Sequence, residues 1–209
     1  MFGLFRPSGG AVYHLRACRY RTLWQPFQAQ VARWLETWNP SRVRPLLILG
    51  PSGGYTLATP WLREFDRVIA YDHDPLAPWF FRREHPGVQV EFHHDNLFWA
   101  AHHLTLAPMK KILKAHPDSN VLFANLLGQV LLEGRARESE WTHLLLELRQ
   151  LLDGRSWASY HDILSFEGDQ AIDHLTRGQW TRGLSRAELI WQLTPKTHHQ
   201  VEAVHAKPT

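Results

Sequence analysis

A chain of 209 residues favours one domain, at about 150 residues per domain, with a core large enough to stand without metal or disulfide staples. Its 44% hydrophobic and 21% charged residues exclude a disordered chain, and the single cysteine, Cys18, excludes an intrachain disulfide and a cysteine-based zinc site. Net charge is only +3, but residues 1–44 carry seven arginines (Arg6, Arg16, Arg19, Arg21, Arg33, Arg42 and Arg44) against Glu36 alone.

A basic arm of this kind suits an anionic substrate, a nucleic acid or an acidic protein. No aromatic or motif pattern specific to nucleic acid accompanies the arginines, so a solvated amphipathic helix is the favoured reading and nucleic acid is not the favoured partner. The helix itself is predicted over 22–38, where Leu23, Phe27, Val31, Trp34, Leu35 and Trp38 recur at three- and four-residue steps. Asn39-Pro40 ends it, because a residue before proline is pushed out of the helical region. No apolar run follows Arg6, and the apolar stretch around Val121 to Leu132 is too short and too interrupted to span a bilayer. A cytoplasmic protein with no membrane partner is expected.

From Pro45 strands alternate with helices. Leu46 to Leu49 is a continuous apolar run closed by Gly50, as a central strand buried on both faces requires. Further strands are expected at Arg67 to Tyr71, at Val88 to Phe92 (alternating, hence more exposed), at Asn120 to Ala124 and at Ser156 to His161. Helices are expected near 60–65, 76–84 and 97–115, with Thr59 capping the first, and at Trp141 to Leu152. Glu188 to Leu193 and His199 to Ala206 read as two strands joined by a loop too short for anything but an antiparallel pair. The sum is an α/β three-layer sandwich: a mostly parallel, seven-stranded sheet ending in an antiparallel C-terminal hairpin. Such a sheet binds ligands beyond the C-terminal ends of its strands, where strand order reverses.

The residues at those ends carry the chemistry. Gly50-Pro51-Ser52-Gly53-Gly54-Tyr55 follows the first strand, and its glycines permit positive φ and close approach of a ligand to backbone. Asp72 ends the second strand, where a carboxylate can accept from both hydroxyls of a ribose, and Asp74, followed by Pro75, is placed to cap the next helix. His93-His94-Asp95-Asn96 follows the third strand, and its Asp-Asn pair offers an acceptor and an amide to an adenine edge. Asn125 begins the turn after the fourth. Asp95 can equally cap the following segment, and Asn125 can equally be a buried, satisfied amide. His93, His94, His102 and His103 suggest a metal, but neighbouring strand residues point to opposite faces and no helical histidine pair supports a site, so none is expected.

This succession resembles the Rossmann-like class I S-adenosylmethionine-dependent methyltransferases over roughly residues 40–206. The resemblance rests on Leu47 to Gly54, Ile69 to Pro75, His94-Asp95-Asn96, Phe123-Ala124-Asn125 and the C-terminal pair. It implies a methyl-transfer enzyme with S-adenosylmethionine as cofactor: Gly50, Ser52 and Gly54 along the amino-acid moiety, Asp72 at the ribose, Asp95 and Asn96 at the adenine, and Asn125 near the methyl group, with His73 a further cofactor-binding residue. It also implies a basic helical extension over 1–40 and a methyltransferase-like domain over 41–209. The methyl acceptor is open among a small molecule, a protein side chain and an RNA, the RNA not favoured, and no catalytic residue is singled out. Replacing Asp72 by alanine is expected to abolish cofactor binding and leave the fold intact. Two departures stand out: Ile48 occupies the place of an acid, and Ser52 that of the middle glycine.

Two rival readings follow from the same residues. Gly50-Pro51-Ser52-Gly53-Gly54 matches G-x-S-x-G, and Asp162 with His198 or His199 preserves a Ser, Asp, His order, as in a serine hydrolase. The two departures also suit a non-catalytic binding module on the same fold. A nicotinamide dehydrogenase fits less well, because Ser52 and Tyr55 stand where its fingerprint has glycines.

Overall fold

The computed structural model describes residues 10–19, 21–100, 103–127, 138–166 and 198–206. In chain order these form α1 (Gly10–Arg19), α2 (Arg21–Trp38), β1 (Leu46–Leu49), α3 (Thr59–Leu62), β2 (Val68–Asp72), α4 (Ala77–Glu84) and β3 (Val90–His94). Then come β4 (Trp99–Ala100), β5 (His103–Leu104), α5 (Ala107–Ala115), β6 (Asn120–Ala124), α6 (Glu138–Leu151), β7 (Trp157–Phe166) and β8 (His198–Ala206).

Six strands make the main sheet in the order β3-β2-β1-β6-β7-β8, the first five parallel and β8 antiparallel to β7. This is the Rossmann-like α/β arrangement that the alternation of elements predicts. The expected strand at Glu188 to Leu193 lies outside the described residues. β1, β2 and β6 are buried at every position, which is why they appear in the sequence as unbroken apolar runs.

Alternation along these strands divides the core into two faces. Leu46, Ile48, Val68, Leu122 and Tyr160 pack with Phe27, Val31, Leu35 and Trp38 of α2, and with Trp61 and Phe81. Leu47, Leu49, Ile69, Val121 and Phe123 pack on the other side with Met109, Ile112 and Leu113 of α5 and with Trp141, Leu144 and Leu148 of α6. Three layers result, and α2 belongs to one of them. The helix of the basic N-terminal segment therefore shares the core of β1.

Two local expectations change. The predicted helix over 97–115 is a two-stranded antiparallel hairpin, β4 paired with β5, followed by α5. The Asn96 side-chain oxygen accepts the N–H groups of Phe98 (3.4 Å) and Trp99 (3.1 Å), which builds a turn there. Pro108 then sits in the first turn of α5, the only helical place where its missing donor does no harm. The helix after the glycine-rich loop is short, and its N-cap is Ala58, because the Thr59 hydroxyl is engaged elsewhere, by Nδ1 of His85 at 2.9 Å.

Candidate functional site

Parallel register brings the strand ends to one edge. Leu49 pairs with Tyr71 on one side and Phe123 on the other, Asp72 with His94, and Ala124 with Tyr160. The next N–H in each case continues the ladder: Gly50 to the Tyr71 carbonyl (2.9 Å), Asp95 to Asp72 (3.2 Å) and Asn125 to Tyr160 (2.9 Å). Gly50, His73, Asp95 and Asn125 are thus the first residues past neighbouring strands, which lie about 4.8 Å apart. Strand order reverses at β1, so this edge is the topological switch point.

The loop after β1 takes left-handed backbone at Gly50 (φ 71°), Ser52 (φ 50°) and Gly54 (φ 71°). Ser52 therefore adopts a conformation that normally calls for glycine. Side chains fill the space beside each glycine. A Cβ on Gly50 would meet Leu126 at 2.9 Å, one on Gly53 the Tyr55 ring at 2.6 Å, and one on Gly54 the His85 ring at 2.6 Å.

The Ser52 N–H donates to Asp72 Oδ2 at 2.6 Å, and the Asp74 N–H to Oδ1 at 2.8 Å. Asp72 is 5% exposed, and its burial pushes the carboxyl pKa up against the pull of those two N–H groups. A carboxylate offers about four acceptor positions, so two remain. His73, beside it, is half exposed, with Nδ1 3.8 Å from Asp72 Oδ1.

Asp74 accepts from the N–H of Leu76 (2.9 Å), from that of Gly10 at the start of α1 (2.9 Å) and from Nε2 of His14 (3.1 Å). Burial pushes its pKa up, but these donors outweigh burial and hold it at about 2. The α4 N-cap is Leu76, so Asp74 makes the turn before the helix and does not cap the helix itself. Asp95 is exposed and accepts from the Asn96 N–H at 2.8 Å, while the Asn96 oxygen is committed to the turn described above. Asn125 is half buried with φ 53°. Gly50, Ser52, Asp72, His73, Asp95, Asn96 and Asn125 thus share one edge, whereas Gly54 faces Phe81 and His85 of the α4 region.

Three residues packed around the loop after β1 are not among the site candidates of the sequence. Tyr55, 8% exposed, lies across Gly53, and its hydroxyl meets Nδ1 of His14 at 2.7 Å. His14 is fully buried and stacks on Phe80 at 3.9 Å and 10°. His85 approaches the Gly54 carbonyl through Nε2 at 2.9 Å, so Nε2 carries the proton and Nδ1 accepts from Thr59. Burial holds the His85 pKa down at about 4.

The serine-hydrolase elbow is not formed. Six residues separate Ser52 from α3, and its N–H is engaged by Asp72, whereas an elbow places the nucleophile directly at a strand-to-helix turn. Among the described residues no group of three or more metal-ligating side chains is assembled, and no helix is long and apolar enough to cross a membrane. His93 instead stacks on Tyr71 (4.5 Å, 15°) and bonds Glu91 at 2.9 Å.

No protein-family model matches the chain, and no curated protein matches its sequence. Among solved structures, a complex of DhpI with S-adenosylmethionine and HEP is similar at 20% identity and TM-score 0.42, over 91% of this chain and 78% of that one. CalS10, an amino pentose methyltransferase from Micromonospora echinaspora, is similar at 17% identity and TM-score 0.42, over 69% and 55%. A putative zinc-dependent alcohol dehydrogenase from Rhodobacter sphaeroides is similar at 12% identity and TM-score 0.44, over 79% and 62%.

Proposed function

We propose that the crevice at the ends of β1, β2 and β3 binds S-adenosylmethionine and that the protein is a methyltransferase. The observation that carries this reading is the direct bond between the glycine-type loop and the acid of β2. The Ser52 N–H holds Asp72 Oδ2, so loop and carboxylate meet a ligand as one unit at the switch point. The residues fit the group. Asp72 keeps acceptor positions for ribose hydroxyls, His73 offers a half-exposed ring beside them, and Asp95 presents an exposed carboxylate at the neighbouring strand end. Gly50 and Ser52 turn the backbone past the end of β1, where the amino-acid moiety would lie, and Asn125 borders the position of the methyl group.

When bound, S-adenosylmethionine supplies an electrophilic sulfonium methyl for in-line attack by an acceptor nucleophile. The protein's own contribution is orientation and exclusion of water. Asp72 fixes the ligand from one side, and Leu126, packed over Gly50, borders the other with apolar surface. The acceptor is taken to be a small molecule or a protein side chain.

Thermal or denaturant unfolding with S-adenosylhomocysteine at 100 times its dissociation constant is expected to show about 2.7 kcal/mol of added stability. Asp72→Asn, which keeps an acceptor for one of the two loop N–H groups, should lose most of that gain and weaken binding at least a hundredfold. No shift in the wild type at millimolar ligand would refute the proposal.

A further inference from the structure

The glycine-type loop and the acid loop are joined twice. The first join is Asp72, which accepts from the N–H groups of Ser52 and Asp74. The second is His14, whose Nδ1 meets the Tyr55 hydroxyl and whose Nε2 meets Asp74 Oδ2. Both joins begin between residues 52 and 55 and end between 72 and 74, so the bonds form a closed ring. His14 comes from α1, outside the alternating strands and helices that make the sheet.

From this ring we infer that His14 is a positioning residue, lent to the crevice by α1, that locks the two loops together and thereby sets Asp72 for its ligand; the ligand part rests on the proposed function. His14 is fully buried, so it touches no ligand and acts only through Asp74 and Tyr55. The atoms assign the bond directions. An ionised carboxylate only accepts, so Nε2 carries a proton and donates to Asp74. At the other ring nitrogen, Nδ1 meets the Tyr55 hydroxyl, which keeps its proton because burial raises its pKa. Stacking on Phe80 fixes the plane of the ring, and the Gly10 N–H on the same Asp74 oxygen anchors the start of the helix. Without the imidazole, the Tyr55 hydroxyl loses its bond to α1's histidine, and Asp74 Oδ2 keeps the Gly10 N–H but no longer reaches Tyr55 through a shared partner. Asp72 alone then joins the loops.

Hydrogen exchange at the Ser52 and Asp74 amides of ligand-free protein tests this without any ligand. In His14→Ala both amides should exchange at least tenfold faster while those of β6 keep their rates. His14→Gln, whose amide can still donate to Asp74, should recover most of the protection. Tyr55→Phe removes only the hydroxyl and should speed the same two amides to a smaller extent, a test that stands if His14→Ala does not fold. Affinity for S-adenosylhomocysteine should fall at least tenfold in His14→Ala and largely return in His14→Gln. Unchanged exchange at Ser52 and Asp74 would overturn the inference, as would acceleration shared equally by β6, which marks general destabilisation. Altered exchange with unaltered affinity would overturn the positioning of Asp72. A wild type that binds no S-adenosylhomocysteine, yet shows the exchange difference, would refute the cofactor proposal and uphold the lock between the loops.

Discussion

Ser52 carries the departure that matters most in the sequence, and its backbone resolves it. Serine stands where glycine is expected, yet φ is 50° and the turn is made all the same. Left-handed backbone at a residue with a Cβ costs about 1–2 kcal/mol, and the bond from its N–H to a buried carboxylate offsets part of that. The same bond bears on what Asp72→Ala would do. Two N–H groups would lose their acceptor, at about 1–3 kcal/mol for each one left buried, so lost stability would accompany lost binding and Asp72→Asn is the cleaner variant. Gly54 and Gly154 separate strain from crowding. Both have positive φ (71° and 72°), but a Cβ on Gly54 would sit 2.6 Å from His85 and 2.7 Å from Phe81, whereas one on Gly154 meets nothing within 4 Å. Gly154→Ala should cost about 1 kcal/mol, and Gly54→Ala at least about 2 kcal/mol more, by denaturant unfolding. Equal losses would show that φ alone matters at Gly54.

At the scale of elements, legibility followed burial. β1, β2 and β6 are enclosed on both faces and declare themselves as apolar runs, while β3, paired on one side only among the described residues, shows the alternation of a half-exposed strand. Gly50, Asp72 and Asp95 could be read as site candidates because a strand end is visible in sequence and parallel strands end together. The hairpin inside 97–115 could not, since the turn that leads into β4 depends on the Asn96 side chain and the apolar residues also fit a helical spacing. α1 was hidden for a different reason. Its buried positions are His14 and Ala17, so its inward face carries no apolar stripe. His14 bonds Asp74, 60 residues away, and Ala17 and Tyr13 pack with Trp24, Tyr55 and Phe80, contacts that no local pattern announces. α2 is the opposite case. Leu35 is fully buried between the helix and β1, so Leu35→Ala should lower unfolding free energy by about 2–5 kcal/mol. A loss below about 1 kcal/mol would mean that α2 is a loosely attached arm and not a layer of the core.

For the molecule as a whole, the pH dependence of stability is governed by groups whose pKa values burial moves in opposite senses. His85 is held at about 4 against an ordinary 6.5, so between those values the unfolded chain binds the proton and the folded chain does not. Stability therefore falls as pH drops from 6.5 towards 4, by at most about 3 kcal/mol at 1.36 kcal/mol for each pH unit. Protonation would also place a donor on Nδ1, which now accepts from Thr59, in a site that Arg21 already makes less hospitable to positive charge. Asp72 opposes this slope. Its pKa is raised by burial, so the folded chain holds that proton longer and stability falls as pH rises through the raised value. Asp74, at about 2, loses its contribution only at still lower pH. The wild-type curve alone would mix these effects, so the difference from His85→Gln isolates one of them. Glutamine can donate to the Gly54 carbonyl and does not titrate. Unfolding free energies of the two proteins should run parallel above pH 6.5, and the wild type should fall away from the variant as pH approaches 4. Parallel curves across the whole range would mean that His85 is not kept neutral by its site, and that the bond from α4 to the glycine-type loop tolerates a charged ring.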